Sequence, residues 1–259
     1  MTVVAVIPAR GGSRGVSKKN LRTVGGLSLV ARSIIHAQAC KEITRVVVTS
    51  DSDEILEEAA HQRTTIELVK RPAELATDTA NGDDVMVHAL QAVGFNGDTP
   101  EDHLSVLLLP TCPIRPAGLI SDCIWTLRTL GADSLFTAYR GHFAWYRSPA
   151  GIGERNPFGD AVLPVRGAVS DRANRQEIKP EHQLYIENGS VYVSKTRELL
   201  KVGARLFGKI EMHLMAKEDS IDVDTEYDLW LAETRLKYLG AREATRDIFE
   251  SPVPAGYRP

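Results

Sequence analysis

An α/β fold, doubly wound about a mostly parallel sheet, is predicted by three features of this sequence. Short β-branched runs alternate with helical patterns over most of the chain. The strand runs are continuously apolar, as expected of strands covered on both faces. The first run ends in a glycine-rich loop at the edge where open α/β sheets bind ligands.

The elements follow in order. VVAVI (3–7) reads as a buried strand, and GLSLVARSIIHAQAC as a helix whose faces are marked by Leu29, Ile34 or Ile35, and Ala37 or Gln38. RVVVTS (45–50) is the second strand. SDEILEEAAHQ follows as a helix with Ser52 or Asp51 as N-cap and acids in its first turns. IELV (66–69) is a third strand. DDVMVHALQAV aligns Val85, Met86, Ala89, Leu90 and Val93 on one helix face. LSVLLL (104–109) is the fourth strand, ahead of a helix near 116–130 and the strand SLFTAY (134–139). From about 140 to 182, Gly, Pro and Arg dominate without periodicity, predicting an excursion such as a hairpin or an arm on a second subunit. Strands near 184–186, 190–194 and 210–215 come next. In the closing helix, TEYDLWLAETRLKYLG, Leu229, Ala232, Leu236 and Leu239 recur at helical spacing. The tail ESPVPAGYRP is expected to be loosely held. The 259 residues thus read as a single domain, 1–259, carrying an insert at about 140–182.

Composition narrows the function. The chain is 43% hydrophobic and 25% charged, with a formal charge of −3, so no global field draws it to nucleic acid or an anionic membrane. The three cysteines form no CxxC pair, which argues against a disulfide framework or zinc site and fits a reducing compartment. No apolar run approaches the roughly 18 residues of a membrane span, and a soluble cytoplasmic protein is expected.

Two stretches carry chemistry. In AVIPARGGSRGVSKKNL, Gly11, Gly12 and Gly15 mix with Arg10, Arg14, Lys18 and Lys19, with Arg22 just beyond and no acid between. Glycines let successive N–H groups turn toward an anion, and the cations neutralise it, so the loop reads as a phosphate cradle. A solvated turn is the plain alternative, but such a turn gains nothing from crowding like charges. The spacing matches neither the Walker loop nor the dinucleotide fingerprint. In EDSIDVDTEYD, an extended 220–224 would bury Ile221 and Val223 and project Asp222 and Asp224 together, about 7 Å apart. Two such carboxylates suit Mg²⁺, which combines one or two carboxylates with phosphate oxygens. The alternative leaves Asp222 solvated and has Asp224 capping the next helix.

IPARGGSRGVSKKNL, RPAELATDTA, LLLPTCPIR, ENGSVYV and SIDVDTEYDLWLAE occur in the order seen in the CMP-sialic acid synthetases, or acylneuraminate cytidylyltransferases. The chain resembles that family from about Val3 to Glu233. The resemblance implies a Rossmann-like nucleotidyltransferase fold, a homodimer with a small dimerisation excursion, and Mg²⁺-dependent transfer of CMP from CTP to a sugar acid with release of pyrophosphate. It assigns Arg10, Gly11, Gly12, Ser13, Arg14, Lys19 and Asn20 to the CTP phosphates, and Arg71, Asp78, Ala80 and Gly82 to the cytidine segment. It assigns Asp222 and Asp224 to the metal, and Thr111, Arg175, Gln176, Asn188 and Tyr192 to the sugar side, with Arg10, Lys19 and Asp224 as the catalytic set. No histidine stands out as a general base; His142 and His182 are nearest the variable region.

The chain also departs from the sialate pattern. Leu109 replaces a common glutamine, Gly82 a frequent serine, and Ile186 an arginine found in some sialate enzymes. A site that has lost polar groups rejects the substrate that needs them. These departures argue against N-acetylneuraminate itself, and YIENGSVYVSK, RLFGKIEMHLM and the GHFAWYR insert resemble the branch that uses related nonulosonic acids, such as legionaminic-type sugars. The competing readings are a cytidylyltransferase for an eight-carbon acid and a non-catalytic nucleotide-binding homologue. A dehydrogenase is disfavoured by the missing fingerprint.

Overall fold

The computed structural model describes residues 1–13, 15–62, 65–141, 145–148, 161–164 and 183–246. A seven-stranded sheet forms the centre. Its strands are β1 (Val3–Pro8), β4 (Arg45–Ser50), β5 (Glu67–Lys70), β6 (Leu104–Leu107), β7 (Ser134–Arg140), β10 (Tyr185–Lys195) and β11 (Ile210–Leu214). They stand in the order β11-β7-β10-β6-β1-β4-β5. All neighbouring pairs are parallel except the two made by β10, which runs antiparallel to both β6 and β7.

The side-chain period of two on β1 divides the core. Val3, Ala5 and Ile7 face one layer and Val4 and Val6 the other, all fully buried. The first layer is closed by α1 (Leu29–Ala39), α2 (Asp53–Ala60) and α4 (Leu119–Thr129), the second by α3 (Gly82–Ala92) and α5 (Thr196–Val202). A third apolar cluster joins the underside of the glycine loop (Val16, Val24) to Ile221, Val223 and Leu229, at the start of α6 (Glu226–Arg246). That cluster ties the two ends of the sequence together.

Several expectations need refinement. The first helix begins at Leu29, because residues 23–28 form a small hairpin, β2 (Thr23–Val24) with β3 (Leu27–Ser28). Ser28 then caps α1, accepting a hydrogen bond from the Ala31 amide. Ser52 is the N-cap of α2 but makes no side-chain cap bond; Asp51 instead accepts from Gly11 N at 2.9 Å. The two strands expected near 184–186 and 190–194 are one strand, β10, broken in register between Glu187 and Tyr192 where Gly189 has φ 72°. Helix α5 was not expected. Within the predicted insert, β8 (Trp145–Ser148) pairs antiparallel with β9 (Ala161–Pro164).

The chain passes from β1 to β4 and β5 on one side and then returns to β6 on the other. Ligands in open α/β sheets lie at such a reversal, beyond the carboxyl ends of the strands.

Candidate active site

A cavity of about 310 Å³ opens at that reversal. Its lining comes from the end of β1 (Pro8), the loop after it (Arg10, Ser13, Lys19, Asn20), the residue after β5 (Arg71), and the approach to α3 (Thr77, Asp78, Ala80, Gly82). Val85, Leu107, Leu109, Pro110 and Thr111, the last four at and after the end of β6, and Arg205 supply the rest. Segments far apart in sequence are thereby brought to one cleft.

The glycine loop is held by distinct contacts. A Cβ on Gly11 would lie 2.8 Å from Ser52 Cβ, and one on Gly15 only 2.1 Å from the carbonyl oxygen of Asp224. Gly12 meets nothing within 4 Å. Asn20 is buried; its Nδ2 donates to Arg10 O at 2.9 Å while its Oδ1 has no partner among the described residues. Ser13 Oγ and Arg71 Nε are also buried without partners among the described residues. Ser13, Asn20 and Arg71 all line the cleft, so three of the unmatched buried polar groups gather beside it. Arg71 Nη2 donates to Thr49 O at 2.8 Å, and burial lowers the guanidinium pKa against the opposing charge of Asp51.

The cations are paired within the protein. Arg10 Nη1 reaches Asp78 Oδ1 at 2.6 Å. Lys19 Nζ donates to Val223 O at 2.7 Å and to Asp224 Oδ1 at 2.8 Å. Lys18 turns away to Glu54 at 2.7 Å, leaving Lys19 as the lysine of the loop that lines the cleft.

Residues 221–224 alternate as expected, with Ile221 and Val223 buried and Asp222 and Asp224 exposed. Val223 N donates to Thr111 O at 2.8 Å, pinning the acidic segment to the segment after β6. Capping does not consume the pair. Thr225 and Asp228 form the reciprocal cap: Asp228 Oδ2 accepts from Thr225 N at 2.8 Å and Asp224 N at 3.1 Å, while Thr225 Oγ1 accepts from Asp228 N. Asp222 reaches solvent, yet desolvation by the cleft walls raises its pKa, opposed by a hydrogen bond with Thr111 and reinforced by the Asp224 charge. Two hard oxygen donors on one face, one of them short of solvation, fit a divalent cation that completes its shell with phosphate oxygens and water. Among the described residues no group of three or more His, Cys, Asp or Glu side chains gathers for a metal.

The sugar-side residues fare differently. Thr111 lines the cavity. Asn188 does not: its Oδ1 accepts from Thr137 Oγ1 at 2.6 Å and Ser190 N at 3.2 Å, and its Nδ2 donates to Ser220 Oγ at 2.8 Å and Met215 Sδ at 3.1 Å. With its amide spent inside the protein, Asn188 shapes the β10 bulge. Tyr192 is buried in the core, donates its hydroxyl to Glu187, and carries Arg205 on its ring at 4.7 Å. Arg14, Arg175, Gln176, His142 and His182 lie outside the described residues.

Two arginines escaped the sequence reading. Arg205 lines the cleft from the short segment between α5 and β11, where Leu206 and Phe207 pack on the core and nothing in the sequence sets the arginine apart. Arg115 is buried without a carboxylate partner among the described residues, and burial lowers its pKa to about 10. It donates to Leu109 O at 2.7 Å, Ser190 O at 3.0 Å and Ser33 Oγ at 3.3 Å, bracing the cleft wall and the bulge together.

The chain matches the cytidylyltransferase family over residues 4–135 and belongs to that family. It is 31% identical over 238 residues to the post-translational flagellin modification protein B of Campylobacter coli, covering 91% of this chain and 95% of that one. It is 30% identical over 234 residues to a CMP-N,N'-diacetyllegionaminic acid synthase of Campylobacter jejuni, covering 89% and 93%. An N-acylneuraminate cytidylyltransferase of Escherichia coli is 28% identical over 235 residues, 90% of this chain; the chain spans about half (51%) of that relative's length. Among solved structures, a CMP:2-keto-3-deoxy-manno-octonic acid synthetase complexed with CTP superposes with a TM-score of 0.62 at 14% identity, covering 94% of this chain and all of that one. That last likeness establishes the shared fold. Among the described residues no helix is long and apolar enough to cross a membrane.

Proposed function

We propose that this cytidylyltransferase transfers CMP from CTP to the anomeric hydroxyl of a nonulosonic acid and releases pyrophosphate. The observation that carries the reading is the docking of the glycine loop on the acidic pair: Lys19 bonded to Asp224 beside three orphaned polar groups, at the sheet's topological reversal.

The chemistry needed is positioning and charge stabilisation. The anomeric oxygen attacks the α-phosphorus, the bond to the β-phosphate oxygen breaks, and the electron pair leaves with pyrophosphate. Ser13 and Arg71 line the cleft and carry donors, Ser13 Oγ and Arg71 Nε, that have no partner among the described residues and suit phosphate oxygens. Arg10 exchanges Asp78 for phosphate, and Lys19 stands beside Asp224 where negative charge grows. Asp222 and Asp224 would hold Mg²⁺, which when bound neutralises phosphate charge and lowers the pKa of the attacking hydroxyl. The resemblance of the chain and the names of its relatives support a nonulosonic acid as acceptor. Leu109 in the cleft and Ile186, exposed on β10, favour one of the related acids over N-acetylneuraminate itself.

A homodimer belongs to the same reading. Ile210 and Leu214 are exposed on the edge strand β11, and an uncovered apolar edge favours a partner. A cytoplasmic location also belongs to it, since all three cysteines are free and buried. The test is pyrophosphate release with CTP and Mg²⁺ against N-acetylneuraminate, its deaminated counterpart, legionaminate-type, pseudaminate-type and eight-carbon acids. Release with a nine-carbon acid is expected. Release only with the eight-carbon acid, or CTP binding without turnover on any acid, would overturn the proposal.

A further inference from the structure

One charged group in the cleft has no task in the reaction as described. Arg205 enters the cavity from the segment between α5 and β11. Its position is strongly fixed. The backbone N and the Nη1 of Arg205 both donate to Asp83 Oδ1, at 3.3 and 2.8 Å, its carbonyl accepts from Ser194 Oγ at 2.6 Å, and its guanidinium lies 4.7 Å from the centroid of the Tyr192 ring. These contacts use one edge and one face of the guanidinium. Among the described residues Nε and Nη2 have no hydrogen-bond partner, and the side chain keeps 27% of its surface exposed. Gly82 leaves room for it: a Cβ there would stand 3.2 Å from Nη1, a tight contact that would shift the guanidinium by a few tenths of an ångström.

Tying α3 to β10 needs only the bonded edge. A guanidinium is held rigid with its second edge open when something planar or anionic is to be recognised. The triphosphate charge is met by Arg10 and Lys19 on the loop after β1, whereas Arg205 rests on Tyr192 of β10, beyond β6 in the sheet. We infer that Arg205 is a specificity-determining residue for the second substrate, donating from its Nε/Nη2 edge to an oxygen acceptor of the sugar acid, either its carboxylate or an acylamide carbonyl. This inference rests on the cytidylyl-transfer reading above.

The test compares wild type, Arg205→Met and Arg205→Lys. The methionine keeps hydrocarbon over Tyr192 and removes the donors; the lysine keeps the charge and removes the planar edge. Pyrophosphate release is measured with the acid varied at saturating CTP and with CTP varied at saturating acid. Arg205→Met raises KM for the acid tenfold or more, with Arg205→Lys intermediate, while KM for CTP stays within about twofold. Comparison of an N-acylated acid with its deaminated counterpart separates the two acceptors. A penalty confined to the acylated acid identifies the amide carbonyl, and an equal penalty on both identifies the carboxylate. An unchanged KM for the acid overturns the inference. So does a KM for CTP that rises as much as that for the acid, which a nucleotide contact or a damaged fold would produce. If wild type turns over no acid at all, the transfer reading fails and takes the inference with it; that outcome is distinct from an active wild type with an unaffected variant.

Discussion

Gly15 lies against the backbone of Asp224 so closely that a Cβ on the glycine would stand 2.1 Å from the aspartate's carbonyl oxygen. The glycine loop and the acidic segment are therefore in register only without a side chain at position 15. Gly15→Ala must push the two apart, and backbone cannot yield as a flexible side chain does. Turnover falls at least 100-fold and the stabilisation given by CTP shrinks, as a misplacement of about 1 Å would cause. Gly12→Ala, with open space around it, leaves the melting temperature of the ligand-free protein unchanged. Equal effects of the two substitutions on the free protein would remove the register argument.

Lys19 and Asp224 separate catalysis from stability. The Asp224 side chain is 73% exposed, so its bond to Lys19 adds little to folding. Asp224→Asn abolishes turnover and leaves the melting temperature nearly unchanged. Lys19→Ala lowers kcat by about 10²-fold, the scale of losing one preorganised charged donor. A Lys19→Ala effect confined to KM for the sugar acid would assign the lysine another role.

Asn188 makes the opposite kind of prediction. Its amide serves Thr137, Ser190, Ser220 and Met215 from inside the protein. Asn188→Ala leaves buried partners unsatisfied and costs about 2 kcal/mol or more of stability. Denaturant unfolding measures that loss. A large rise in KM for the sugar acid at unchanged stability would return Asn188 to the substrate.

His36 gives the chain an acid sensitivity apart from the active site. Burial, then Arg115 and Arg32, lowers its pKa to about 3 from an ordinary 6.5. The unfolded chain therefore binds one more proton than the folded one between these values, and stability declines as pH falls from about 6.5 toward 3. At pH 4 the loss relative to pH 7 is about 3 kcal/mol. His36→Gln flattens that part of the unfolding profile; an unaltered slope would mean that the imidazole titrates normally.

The sheet was readable in the sequence because β1 and β4 are unbroken β-branched runs buried on both faces. The hairpin at 23–28 and helix α5 were not, since two-residue strands and a seven-residue helix carry too little periodicity. The acidic pair was legible through the apolar residues that alternate with its members, Ile221 and Val223. The glycine loop was legible through its charge, although Lys18 and Lys19, adjacent and alike in sequence, point to Glu54 and Asp224 respectively. Motif position also suggested substrate contact for Asn188, because its spacing is the same whether an amide faces a ligand or a bulge. Arg205 could not be found in advance, as its importance comes from Gly82, Asp83 and Tyr192, none of them near it in sequence.

The antiparallel strand β10 also constrains the order in which the molecule is assembled. It fills the place between β6 and β7, and without it β7 has only β11 beside it, a strand made later still. A chain emerging from the ribosome can form β1, β4, β5 and β6 early, but β7 waits about 45 residues for its first neighbour, while the edge of β6 stays open for longer. During that interval both edges of β7 and the free edge of β6, all rich in apolar residues, are available to other chains. Fragments ending before residue 185 should aggregate, and the full polypeptide should acquire its protease resistance in one late step, when β10 joins the halves of the sheet.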